Sequence, residues 1–158
     1  MIITLLSFSS CKKEEPKEEP TSVIVGSALL NNVYTTFSRS SFYINDINRW
    51  QNFVLLYRND NSEIKLNFTD PGEGIRFIGD PDSTITELSY KDAGNRRYTA
   101  DSGSINITKY KFTNGVYYIS GGFAFRAKTN PVILPDGTPF FTTIRITDGA
   151  FNNLQSTD

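Results

Sequence analysis

No histidine occurs anywhere in the 158 residues. That removes the commonest general base and the commonest transition-metal ligand from any account of function. Cysteine occurs once, so no internal disulfide can staple the fold. An excess of either charge is also lacking: 16 basic and 17 acidic residues leave a net charge of −1. The segment Lys12 to Glu19 holds three Lys and four Glu, and setting it aside leaves 13 of each sign. A neutral domain has no electrostatic footprint for nucleic acid or for an anionic membrane surface. Helical periodicity is missing too. After Val23 no window sustains apolar residues at i, i+3, i+4 and i+7 without a Gly, a Pro or a β-branched run breaking it.

What is there favours strands. Aromatic residues make up 13% of the chain, almost all Phe and Tyr, and these pack well on a pleated surface. Ser27–Leu30 and Val33–Phe37 flank Asn31-Asn32, a two-residue hairpin signal because Asn tolerates left-handed backbone. Ser41–Asn45 reads as a third strand. The run Gln51–Tyr57 is nearly continuous apolar and predicts a central strand covered on both faces. Ile64, Leu66 and Phe68 alternate with polar residues, and the loop Arg58–Ser62 joins the two as a hairpin. Between Asp70 and Asp82 only Ile75–Ile78 reads as a strand. Thr84–Tyr90 and Arg96–Ala100 pair around Lys91–Asn95. Asn114-Gly115 centres the clearest hairpin, with a bulge expected between Ile107 and Tyr110, and Gly121-Gly122 marks a bend or a close backbone approach. Asn130–Pro139 is the longest ordered connection. Phe140–Thr147 is a last strand with Ile144 and Ile146 inward, after which Asp148-Gly149 turns the chain back and Phe151 tucks under the edge. The expected fold is all-β: an antiparallel β-sandwich or partly open barrel of about nine to ten short strands.

The first twenty residues are different. Met1–Phe8 is mainly apolar, Ser9 and Ser10 are small, and Cys11 follows. This resembles a bacterial lipoprotein signal, in which the residue after the cut is a lipidated cysteine. Two or three acyl chains, palmitate among them, anchor stably where one is marginal. The resemblance divides the chain into a signal peptide (1–10), a lipidated Cys11 with a disordered tether (11–22) and a single all-β domain (23–158). Only ten residues precede Cys11 and none is Lys or Arg, so the true start is expected upstream. Lys, Glu and Pro dominate residues 12–21, a composition that cannot bury enough apolar surface to fold. Ten such residues span at most ~36 Å. Lys12, Lys13, Glu14 and Glu15 are similar to the export signal that sends Bacteroidota lipoproteins to the cell surface; the alternative is a solvated spacer with no sorting role.

Three further motifs carry a resemblance: G-x-I-x-I-T at Gly103–Thr108, S-G-x-F-x-F at Ser120–Phe125, and I-T-D-G-x-F at Ile146–Phe151. Together they resemble a family of small all-β Bacteroidota lipoproteins. The resemblance implies a fold and an outer-membrane address, at the cell surface or facing the periplasm. It implies no activity.

Catalytic candidates are few. Asp70, Glu73, Asp80 and Asp82 sit in Pro/Gly turns, where Asp is favoured for bonding nearby backbone, and do not read as a glycosidase pair. Asn59–Glu63 and Asp70–Asp82 cluster oxygen ligands but match no helix-flanked calcium loop, so turn chemistry explains them. No cofactor and no metal is expected. Aromatic residues in strands are mostly packing, but an exposed pair makes a sugar platform. Trp50 and Tyr118 are the first candidates, since neither falls on an inward parity. The expectation is a non-enzymatic lipoprotein with a binding or structural role, whose partners are the membrane through its anchor and possibly a glycan or an outer-membrane protein. The alternative is a glycan-binding accessory module of a nutrient-uptake system.

Overall fold

The computed structural model of the chain describes residues 24–45, 51–69, 72–80 and 84–156. Twelve strands form there: β1 (Gly26–Leu30), β2 (Val33–Phe37), β3 (Arg39–Asn45), β4 (Gln51–Tyr57), β5 (Glu63–Phe68), β6 (Gly74–Phe77), β7 (Ile85–Lys91), β8 (Arg97–Thr113), β9 (Val116–Lys128), β10 (Val132–Ile133), β11 (Pro139–Phe140) and β12 (Thr143–Gln155). No helix occurs among the described residues. Nine strands follow one antiparallel path, β2-β1-β12-β9-β8-β7-β5-β4-β3, and β6 adds to β8 beyond β7. β10 and β11 form a separate two-stranded hairpin.

The two ends of the path meet. Ser38 alone joins β2 to β3, and these are the two edge strands. Its N–H donates to the Tyr57 carbonyl, while the Val25 N–H donates to the Phe37 carbonyl. Elsewhere along β3 a parallel bridge links Phe42 to Ser156, just past β12. The sheet is therefore nearly closed, within the expected sandwich or partly open barrel.

Turn chemistry sets the register. Asn31 (φ 47°) and Asn32 (φ 68°) take the left-handed backbone that a two-residue hairpin needs. The Asn31 side-chain oxygen also accepts the Arg145 N–H at 2.8 Å, so this turn ties β1–β2 to β12. Asn114 (φ 52°) and Gly115 (φ 82°) close the β8–β9 hairpin in the same way. Inside lie Phe37, Phe42, Leu56, Ile64, Leu66, Phe68, Ile105, Ile107, Ile119 and Ile146, all essentially sealed from water. Each such side chain contributes roughly 1.5–3 kcal/mol of burial.

Four expectations need correction. Gln51–Tyr57 is not buried on both faces: Asn52, Val54 and Leu56 are buried, whereas Phe53, Leu55 and Tyr57 are half-buried on the opposite face. Arg96–Ala100 and Ile105–Phe112 are not separate strands but one 17-residue strand, β8, whose register shifts at Ala100/Ser102 and at Ile107/Lys109. The second shift is the expected bulge. Asp148-Gly149 does not turn the chain back. It is a bulge opposite β9, with Asp148 at φ 50°, and β12 runs on so that Phe151 is core. Asn130–Pro139 is no plain loop, because it contains most of the β10–β11 hairpin.

Candidate functional site

Residues directly opposite one another across a sheet share a face. The register places Arg39, Tyr57, Glu63, Lys91 and Arg97 side by side across β3, β4, β5, β7 and β8. Two residues along, Ser41, Leu55, Lys65 and Ser89 form a second row, and Tyr43, Phe53, Asn67 and Glu87 a third. The intervening rows hold Leu56, Ile64, Tyr90 and Tyr98, and Phe42, Val54, Leu66 and Leu88, which are core. The three rows are therefore the outer face of one sheet region. Its strands are short, its hairpins tight, and its side chains are aimed by the core beneath them.

At one end of this face is an aromatic shelf. The rings of Tyr43 and Phe53 stack with centroids 4.6 Å apart and planes 10° apart. Tyr43 keeps 36% of its surface exposed. The Lys65 ammonium lies 5.8 Å from the Phe53 centroid and bonds Glu87 at 2.6 Å. Burial alone would raise the Glu87 carboxyl, but hydrogen bonds from Lys65 and Ser89 outweigh it and hold the group below its ordinary value.

At the other end, beside the start of β1, an open groove of about 740 Å³ is lined by Val25, Ser38, Arg39, Tyr57, Arg58 and Lys91, among others. Arg58 pairs with Asp60 at 3.0 Å, and Lys91 with Glu63 at 3.7 Å. Burial, then the neighbouring Glu63 carboxylate, push the Tyr57 phenol up, so it stays a donor at any ordinary pH. Counting both ends, five cations (Arg39, Arg58, Lys65, Lys91, Arg97) face three carboxylates (Asp60, Glu63, Glu87). The neutral balance of the whole chain conceals this local excess.

This arrangement offers one exposed aromatic ring, Tyr43, with hydroxyl groups and charged donors on a sheet held by the core. It suits a binding surface. Of the acidic residues weighed for catalysis, Glu73 accepts the Tyr110 backbone N–H at 3.3 Å, a structural bond. Asp70 and Asp82 lie outside the described residues. Among the described residues no three His, Cys, Asp or Glu side chains gather closely enough to hold a metal.

Of the two aromatic candidates, Tyr118 is half-buried on β9, opposite Lys111 and Gln155. Trp50 lies outside the described residues, as do Cys11, Lys12, Lys13, Glu14 and Glu15. Among the described residues of this face, the rings of Tyr43 and Phe53 stack. The only sequence signal for it was period-2 parity, which puts Phe53 out of phase with the inward Val54, and the apolar run masked that parity. Comparison with protein-family models, with curated proteins and with solved structures finds no match.

Proposed function

We propose that this protein is a lipid-anchored, non-enzymatic binding module of the bacterial outer membrane, displayed at the cell surface. The observation that carries the reading is the order Ser9-Ser10-Cys11 followed by Lys12-Lys13-Glu14-Glu15, ahead of a β-domain that begins at Gly26. A thiol after small residues is the acyl acceptor, and the Lys/Glu/Pro segment is the spacer. The start of the domain is held in the sheet: the Val25 N–H donates to the Phe37 carbonyl and the Val25 carbonyl accepts from the Asn152 N–H.

The chain, expressed with a complete signal in a cell that makes lipoproteins, is predicted to incorporate labelled palmitate and to stay with membranes through a high-salt wash. Cys11→Ser abolishes the label and releases the protein. A Cys11→Ser protein still bound to salt-washed membranes refutes the anchor.

A second reading is favoured by one observation: Tyr43 is exposed and stacked flat on Phe53. Sugar rings pack on such surfaces, so the bound partner in this reading is a glycan, and the module is an accessory to nutrient uptake. Tyr43→Ala then weakens glycan retention on affinity gels without lowering thermal stability. Unchanged retention removes the aromatic shelf from the site.

A further inference from the structure

We propose that the outer face of β3, β4, β5 and β7 takes an acidic glycan, a saccharide chain bearing carboxylate or sulfate groups, and that Arg39 meets the anion. The inference rests on the glycan reading above and adds its chemical class.

Arg39 is the unusual cation of the face. Arg58, Lys65 and Lys91 each hold a carboxylate within 4.0 Å, and Arg97 shares Glu87 with Lys65. Arg39 is exposed at the groove and has no carboxylate partner among the described residues. A guanidinium presents a planar fork of donors matched to carboxylate and sulfate oxygens, and a bidentate pair is the strong form of that contact. Its neighbour across the strand pair is Tyr57, a protonated phenol, and Ser38 and Ser41 add hydroxyls to the same groove. These groups suit an acid group set among sugar hydroxyls.

The spacing to the aromatic shelf is also apt. Arg39 and Tyr43 lie four residues apart on one face of β3, about 13 Å along the strand. A short oligosaccharide spans that length, with a ring against the exposed Tyr43 and an acid group at Arg39. Nucleic acid is a poorer fit. It asks for a run of free cations along its phosphates, and here the other cations are already engaged by carboxylates of the same face.

The test uses the full chain in mild detergent and four polymers: polygalacturonate, the same polymer fully methyl-esterified, dextran sulfate and dextran. The expected result is at least tenfold tighter binding of one charged polymer than of its uncharged counterpart. Whether polygalacturonate or dextran sulfate shows the preference distinguishes carboxylate from sulfate. Arg39→Gln loses roughly tenfold of that preference, as expected for a charge-assisted contact, with an unchanged melting temperature. Arg39→Lys keeps part of it, because the charge remains and the fork does not. Equal binding of charged and uncharged forms, or a preference that survives Arg39→Gln, overturns the acidic class and leaves the glycan reading standing. No binding of any of the four overturns both. Binding of a single-stranded oligonucleotide as tight as that of the charged polymer, and equally sensitive to Arg39→Gln, also overturns the proposal by making the face a general polyanion site.

Discussion

Asn52 is fully buried, and its side-chain oxygen accepts the Tyr110 hydroxyl at 2.9 Å. The Tyr110 ring meets Phe42 edge-on at 6.4 Å, and burial drives its phenol up, so the donor is never lost to titration. Tyr110→Phe keeps the ring and removes the bond. We predict a loss of about 1–2 kcal/mol, read as a lower urea midpoint with an unchanged slope. Gly149 is constrained differently: the Phe123 ring lies where its Cβ would be. Gly149→Ala should cost about 1–3 kcal/mol by overpacking, whereas Gly115→Ala meets no neighbour and strains only its own backbone. Acid stability is also set residue by residue. Ser62 hydrogen bonds hold the Asp60 carboxyl down, Arg126 does so for Asp101, and in Glu87 the bonds from Lys65 and Ser89 overcome burial. A depressed folded value means the stability is present above the ordinary values of 3.8 for Asp and 4.5 for Glu. It drains as pH falls through the lower folded values. With no histidine to add a step, the urea midpoint should be flat from about pH 8 to about pH 5 and fall below about pH 4. Glu87→Gln makes that fall shallower.

At the scale of elements, tight turns were the most legible part of the fold. Asn31-Asn32 and Asn114-Gly115 advertise left-handed backbone by residue type alone, and both hairpins form where they were expected. Asp148-Gly149 carries the same chemistry and means something else. Its φ > 0 residue makes a bulge, because the neighbouring strand β9 continues past it and the bare Gly149 receives the Phe123 ring. Nothing local distinguishes a bulge from a turn; the partner strand decides. The length of β8 was hidden for a similar reason, since its two register shifts break the period that marks a strand. The candidate site was less legible still. Glu63 and Lys65 become partners of Lys91 and Glu87 only once β5 and β7 are placed in register. The β10–β11 hairpin leads to a prediction. It exposes Val132, Ile133 and Phe140, pairs with no other strand among the described residues, and is closed at its base by Thr129 and Thr142. Replacing residues 130–141 with Asn-Gly should keep the fold and move the melting temperature by less than about 4 °C. A larger drop would show that the hairpin props the sheet.

For the whole molecule, the nearly closed path means that the proposed binding face is held by the same core as everything else. Every strand of that face has its inward row in the sealed interior, from Phe42 on β3 to Leu88 on β7. A rigid face of this kind gains affinity by avoiding the entropy of ordering on binding. Amides of β8, β9 and β12, flanked on both sides, should exchange most slowly, and those of β10–β11 fastest. The central claim is that one sheet face, β3–β4–β5–β7, is where this protein meets its partner. Hydrogen–deuterium exchange of the full chain, with and without a saturating mixture of acidic oligosaccharides, tests it most directly. The account predicts added protection in residues 39–45, 51–57, 63–67 and 87–91, with the rest unchanged. Protection confined to the 129–142 hairpin, or absent throughout while binding is seen by an independent method, would contradict it.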